Sequence, residues 1–155
     1  MWLYDAGIIN FCHNLSSQEL RFEGNAKSDV FKIYMRDTGL LTSMLEDGSQ
    51  TDIMDGNLGI YKGAVYENII ADIFAKSGKK LYYFEYNSQI EIDFFIRKNK
   101  KAVAVEVKSA ENKKSKSLNA IIENYGVSRG IKLHSGNIGT SDKIDIYPLY
   151  MAMFL

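Results

Sequence analysis

Between Ile90 and Ser109 the run IEIDFFIRKNKKAVAVEVKS sets charged side chains at spacings that can assemble chemistry. Read as two short strands joined by a basic turn, it puts Glu91 and Asp93 on one face of the first strand and Ile90, Ile92 and Phe94 on the other, because side chains alternate along a strand. On the second strand Glu106 and Lys108 share a face, and Val103, Val105 and Val107 take the opposite one. Two adjacent strands then present acidic groups on one side of an apolar layer, with a lysine among them. Crowded carboxylates repel unless a cation sits between them. The predicted chemistry is that of a divalent-metal site. Glu67 adds to it, since it falls inside the apolar stripe Gly63, Tyr66, Ile70, Ile73 and Phe74 of a predicted helix. A carboxylate buried there costs several kcal/mol unless it is paired or binds a metal.

Each group also has a plainer reading. A lone Glu-x-Lys on a strand commonly marks a solvated face. The lysines at 98, 100, 101, 113, 114 and 116 can grip a phosphate backbone or simply line a solvated turn and helix face. The ten tyrosines read first as core and half-buried strand residues, and only second as stacking platforms. His13 and His134 have no partner histidine at ligand spacing and read as structural or exposed. Arg36 and Asp37 form a buried pair or a cap on the next helix. Gly24-Asn25-Ala26-Lys27-Ser28 ends like a phosphate-binding loop but lacks the glycine before the lysine and the full spacing, so it is rejected.

The elements that must hold these groups follow in chain order. The opening WLYDAGIINFCHNLSS reads as the end of a helix stopped near Gly7 and an apolar strand through Ile8, Ile9 and Phe11. A start in mid-pattern gives the expectation that Met1 is a truncation point, with Trp2 and Leu3 continuing an upstream helix. A strand over 30–35 and a short helix around 40–45 follow, and EDGSQTDIMDGN reads as loop. From Ile60 the period turns helical until Ser77-Gly78. LYYFEY is a strand that Asn87-Ser88 turns into the next. Residues 111–125 read as a helix, basic in its first half and apolar at Leu118, Ile121, Ile122 and Tyr125. RGIKLHS and KIDIYPLY are strands, and the chain closes on MAMFL. Helix, three strands, helix, strand, strand predicts an α/β fold with a central mixed sheet and a helix on each face.

The chain has 155 residues, 46% hydrophobic and 25% charged, which describes an ordinary globular domain rather than a disordered one. One cysteine, Cys12, excludes an internal disulfide framework and fits a reducing compartment. No apolar run approaches the ~20 residues of a membrane helix, and the start lacks a signal peptide's basic region. The expected location is cytoplasmic, with no membrane partner. Nineteen basic and nineteen acidic residues balance overall, which argues against a strongly basic nucleic-acid binder. The balance is uneven, at about −5 before residue 61 and about +5 after it.

Glu67 on a helix, Asp93 on the second strand and Glu106-Val107-Lys108 on the third resemble the PD-(D/E)XK nuclease superfamily, with Ile92 where the motif's name has proline. More narrowly, KIYMRDTGLL (32–41), GAVYENIIADIF (63–74), EIDF (91–94) and AVEVKS (104–109) look like the C-terminal domain of unknown function that follows an AAA+ ATPase module in many bacterial and archaeal proteins. The resemblance implies a restriction-endonuclease-like core over 57–155. Residues 1–56 are then the end of an upstream winged-helix or linker region plus a packing extension. It also implies Mg²⁺ or Mn²⁺ held by Asp93 and Glu106, with Glu67 as a further ligand or base, and Lys108 orienting water or neutralising charge on the phosphorus. Hard oxygen donors with no Cys/His cluster favour those ions over zinc. The implied partners are nucleic acid, DNA foremost, and the upstream AAA+ module, through which alone ATP would enter. The competing expectations are a catalytically inactive regulatory or partner-binding module of the ATPase, and a homo-oligomerisation domain built on the MAMFL tail.

Overall fold

The helical stripe and the paired strands fold as their patterns predict and give an α/β architecture of mixed sheets flanked by helices. The computed structural model describes residues 1–87, 89–109 and 115–155. Among them the order is α1 (Trp2–Asp5), β1 (Ile9–Leu15), α2 (Phe22–Asn25), β2 (Ala26–Met35), α3 (Thr38–Ser43), α4 (Ser49–Met54), α5 (Lys62–Lys76), β3 (Leu81–Tyr86), β4 (Ile90–Ile92), β5 (Phe94–Lys98), β6 (Lys101–Val107), α6 (Lys116–Asn124), β7 (Gly130–His134), β8 (Gly139–Ser141) and β9 (Ile144–Pro148). Short 3-10 segments, Gly59–Tyr61 and Leu149–Phe154, precede α5 and close the chain. No helix among the described residues is long and apolar enough to cross a membrane.

One sheet runs β2-β1-β3-β4 and the other β5-β6-β7-β9-β8. β1 lies parallel to β3, and β6, β7 and β9 are mutually parallel, while the hairpin pairs are antiparallel. β4 and β5 are one run of chain interrupted at Asp93, so this run belongs to both sheets. The basic turn after β5 is a two-residue hairpin in which Asn99 and Lys100 both have positive φ, 50° and 61°, as a turn matching the strand twist requires. α5 ends where Gly78, at φ 78°, lets the chain reverse. Its N–H reaches Ala75 O and that of Lys79 reaches Phe74 O, the paired bonds of a glycine-closed helix end.

Two cores fill the faces of the sheets. Beneath α5, Ile70, Ala71 and Phe74 pack with Tyr83, Phe94, Ile96, Val103, Val105, Val107, Ile131 and Leu133. Beneath α6, Leu118 and Ile121 pack with Tyr82, Phe84, Ile92, Phe95 and Ala104. Each fully buried side chain of this size contributes roughly 1.5–3 kcal/mol.

The structure departs from the sequence pattern at three places. Phe94 does not share a face with Ile90 and Ile92: Ile92 joins the core under α6 and Phe94 the core under α5, because the break at Asp93 shifts the alternation by one residue. The stretch 46–57, read as loop, contains α4, whose only buried residue is Ser49 and which therefore carries no apolar stripe to read. β8 was not anticipated, since three residues give too short a pattern. The helix read over 111–125 is described as Lys116–Asn124. Its expected start, like Ser88 in the turn before β4, lies outside the described residues.

Candidate functional site

The break at Asp93 opens a fork. Phe94 is the first residue of β5, paired with Val105 of β6. Before it the chain pairs with β3 through Ile92↔Phe84, while β6 continues along β7 through Glu106↔Lys132 and Val107↔Leu133. The N–H of Val107 is therefore left on the open side of β6. The Asp93 carboxylate accepts it, Oδ2 at 2.6 Å. A side chain does in the fork what a backbone carbonyl does in a ladder.

Asp93 is buried, and its carboxyl is pushed up to about 7 by loss of solvation and then by the charge of Glu67, against the Val107 N–H and Lys32, with Glu106 adding a small upward push. Glu67 is also raised, by burial first, with Lys32 and a hydrogen bond from Tyr34 Oη at 3.3 Å opposing. Lys32 forms an ion pair with Glu91 and stands 4.9 Å over the Tyr83 ring. Burial pulls its pKa down, but Glu91, Glu67 and Asp93 together hold it above the ordinary value.

Glu106 is only 3% exposed. Lys108 Nζ lies 2.8 Å from its Oε1, and Oε2 is buried with no hydrogen-bond partner. A buried oxygen left that way costs about 1–3 kcal/mol or more. Because Val103, Val105 and Val107 fill the core under α5, Glu106 and Lys108 turn to the α6 face. The expected single acidic face is thus two faces joined at the fork: Glu67, Glu91 and Lys32 toward α5, Glu106 and Lys108 toward α6, and Asp93 between them.

The structure brings Asp93 within electrostatic reach of both Glu67 and Glu106, and Lys108 within reach of Glu67. It does not gather them further: among the described residues no group of three or more His, Cys, Asp or Glu stands ready to hold a metal ion. Two carboxylates remain compatible with Mg²⁺, which keeps several waters and takes one or two protein carboxylates. The unpartnered Glu106 Oε2 and the raised Asp93 are what such an ion would relieve. The donors fit a hard divalent cation.

The basic residues Lys98, Lys100 and Lys101 sit at the hairpin turn, roughly 13 Å along the strands from the fork. Lys113 and Lys114 lie outside the described residues. Asp37 proves to be a cap, accepting from Leu40 N at 3.0 Å, and Arg36 Nε bonds Asn10 Oδ1 instead. Cys12 is buried, which raises its pKa and keeps the thiol protonated and unreactive.

Sequence reasoning passed over Lys32, Tyr34 and Asn68. On β2 the usual alternation is reversed, with Phe31 and Ile33 42% and 54% exposed while Lys32 and Tyr34 turn inward. That reversal next to a predicted acidic site was the available signal. Asn68, one residue beyond Glu67 on α5, accepts from Met35 N at 2.7 Å and donates to Met35 O at 3.0 Å, clamping β2 to the helix.

A cavity of about 580 Å³ lies elsewhere, lined by residues including Phe11, His13, Arg36, Lys80 and Tyr82. It contains none of Glu67, Asp93, Glu106 or Lys108, and its carboxylate, Glu23, is already paired with Lys80. Orphaned buried charge, not volume, marks the place where chemistry is possible.

These features define an α/β domain whose two sheets part at a buried acidic fork. The chain belongs to the family described as Domain of unknown function (DUF4143), whose model matches residues 62–151. No curated protein and no solved structure matches it.

Proposed function

We propose that this domain hydrolyses phosphodiesters of nucleic acid with a divalent cation, on a restriction-endonuclease-like core. The observation that carries the reading is the buried, unpartnered Oε2 of Glu106, with Lys108 on its other oxygen and Asp93 across the fork. Asp93 and Glu106 would hold Mg²⁺ or Mn²⁺, with Glu67 behind Asp93. When bound, the ion supplies a water of lowered pKa and an electrophile for the leaving oxygen. Lys108 orients the attacking water from its place beside Glu106 and offers positive charge to the phosphoryl oxygens. Lys32 tempers the repulsion between Glu67 and Asp93. The resemblance adds an AAA+ ATPase module upstream in the full-length protein, where any ATP would bind, and a cytoplasmic setting with DNA as the first substrate to try.

The test is calorimetric titration of Mn²⁺ into the wild type and into Asp93→Ala, followed by cleavage assays on DNA and RNA. Binding abolished by the substitution, and cleavage lost in both Asp93→Ala and Lys108→Ala, are expected. No cation binding by the wild type would sink the reading.

A second reading has its own support: Glu106 and Glu91 already have lysine partners, and no three-donor set exists among the described residues. On that reading the fork is a self-neutralised remnant and the domain a regulatory or partner-binding module of the ATPase. It predicts a folded protein that binds neither Mg²⁺ nor Mn²⁺.

A further inference from the structure

His134, at the end of β7, is 7% exposed and leaves its buried Nδ1 without a hydrogen-bond partner. Its Nε2 lies 3.0 Å from the carbonyl oxygen of Asn137. A carbonyl only accepts, so Nε2 carries a proton, and in the neutral tautomer compatible with that bond Nδ1 is an acceptor. A buried acceptor without a donor is the same anomaly that Glu106 Oε2 presents.

The register makes the two anomalies neighbours. Glu106 pairs with Lys132 and Val107 with Leu133, and the N–H of Lys108 bonds Leu133 O, so Lys108 and His134 are the next residues in step. Ile131 and Leu133 belong to the core under α5. Lys132 and His134 therefore turn to the same face as Glu106 and Lys108. Both orphaned acceptors stand at the carboxyl ends of adjacent parallel strands, where open α/β sheets receive their ligands. In that tautomer neither can satisfy the other, because both accept. A donor between them can satisfy both. The imidazole does not complete a three-donor ligand set with the carboxylates, which leaves it a role through water.

We propose that His134 is a positioning residue of the fork, its Nδ1 accepting a hydrogen bond from a water of the cation held at Asp93 and Glu106. This rests on the cation-dependent reading above and assigns a residue to it. Such outer partners fix the orientation of what they hold, and their loss commonly weakens metal binding by roughly 10–100-fold.

The chain has two histidines, and the other one is an internal reference. His13 lies on β1, four strand positions from β7 and roughly 20 Å away by strand spacing. Imidazole ¹H–¹⁵N spectra of the whole chain are recorded while Mn²⁺ is added below stoichiometry, with calorimetry in parallel and Mg²⁺ as the diamagnetic control. The His134 ring signals should broaden first while those of His13 persist, and Mg²⁺ should move the Nδ1 shift of His134 without changing its tautomer. Mn²⁺ binding by calorimetry with His134 left sharp, or with both rings broadened alike, overturns the assignment and leaves the cation reading standing. No Mn²⁺ binding overturns both. His134→Asn, which offers an oxygen near the place of Nδ1, should keep Mn²⁺ affinity within about threefold, whereas His134→Leu should lose about tenfold or more. Equal losses in the two variants would reduce the ring to packing.

Discussion

The fork and the segment that precedes α5 invert each other's burial. Around the fork, charge is inside: Asp93, Glu106 and Lys132 are all buried. Before residue 62, apolar surface is outside, with Trp2, Phe31, Ile33, Met44, Met54 and Ile60 among the large side chains left exposed. A single globular rule of apolar in and polar out describes neither region. Buried charge is retained where neighbouring groups can use it, and exposed apolar surface is tolerated singly or marks a face that meets something else. The difference separates a part of the chain whose packing serves a site from a part that, beyond the buried residues of β1 and Tyr34, adds little to the core.

The largest effect that would sharpen this contrast is the loss of a core aromatic. Phe94 stacks edge-on against Phe74 at 5.6 Å and touches Tyr34 at the same separation, and it forms the root of the fork. Phe94→Ala should lower the unfolding free energy by about 3–5 kcal/mol in denaturant melts. Ile60→Ala, at an 89% exposed position, should change it by less than about 0.5 kcal/mol. Comparable losses at the two positions would break the comparison outright.

The next effect is electrostatic. Burial and the charge of Glu67 push the Asp93 carboxyl up to about 7 in the fold, from near 4 when unfolded. Between those values the folded state keeps a proton that the unfolded state has released. The stability this provides is fully present below about pH 4 and is lost as pH rises through about 7, at up to about 1.4 kcal/mol per pH unit. Urea midpoints measured at pH 5 and pH 8 should therefore fall with rising pH. Asp93→Asn should flatten the difference, and on the cation reading Mn²⁺ should flatten it in the wild type. A wild-type midpoint independent of pH would mean that the carboxylate is not buried as the fork requires.

Where the sequence could be read, and where it could not, follows the same division. The helix over 62–76, the strands of the hairpin and the shared face of Glu106 and Lys108 were all legible, because apolar periodicity is strong where one face is fully buried. The slip at Phe94 was not, since a one-residue break is invisible in a run of apolar residues whose two faces are both buried. Lys32 and Tyr34 were missed because β2 points them inward beneath α5, against the polarity that alternation predicts. α4 was missed because its residues bury almost nothing, so no stripe betrays it.

Asn68 is where the two regions are stitched together. Its amide takes both backbone groups of Met35 and also donates to Thr38 Oγ1 at 3.1 Å. Asn68→Ala leaves the Met35 N–H and C=O without these partners, for a loss of about 2 kcal/mol. It should also loosen Tyr34 from Glu67, and protection of the β2 amides from hydrogen exchange reports that directly. Unchanged protection of β2 would mean that pairing with β1 alone holds the strand.

The smallest effect decides whether the preceding layer unfolds with the rest. Asp37 caps α3 through Leu40 N, and α3 has no buried residue, so removing the cap should destabilise that helix by about 1 kcal/mol. If the layer opens on its own, Asp37→Ala will speed hydrogen exchange in α3 and leave the global melt almost unmoved, because the capped helix is already lost in the locally open state. If instead the layer and the fork unfold as one unit, the full ~1 kcal/mol will appear in the global free energy and exchange will change uniformly. The first outcome is expected, since α3 rests on α5 without contributing a buried side chain. The second would show that Asn68 transmits the cap's loss into the core, and that the two regions differ in composition but not in cooperativity.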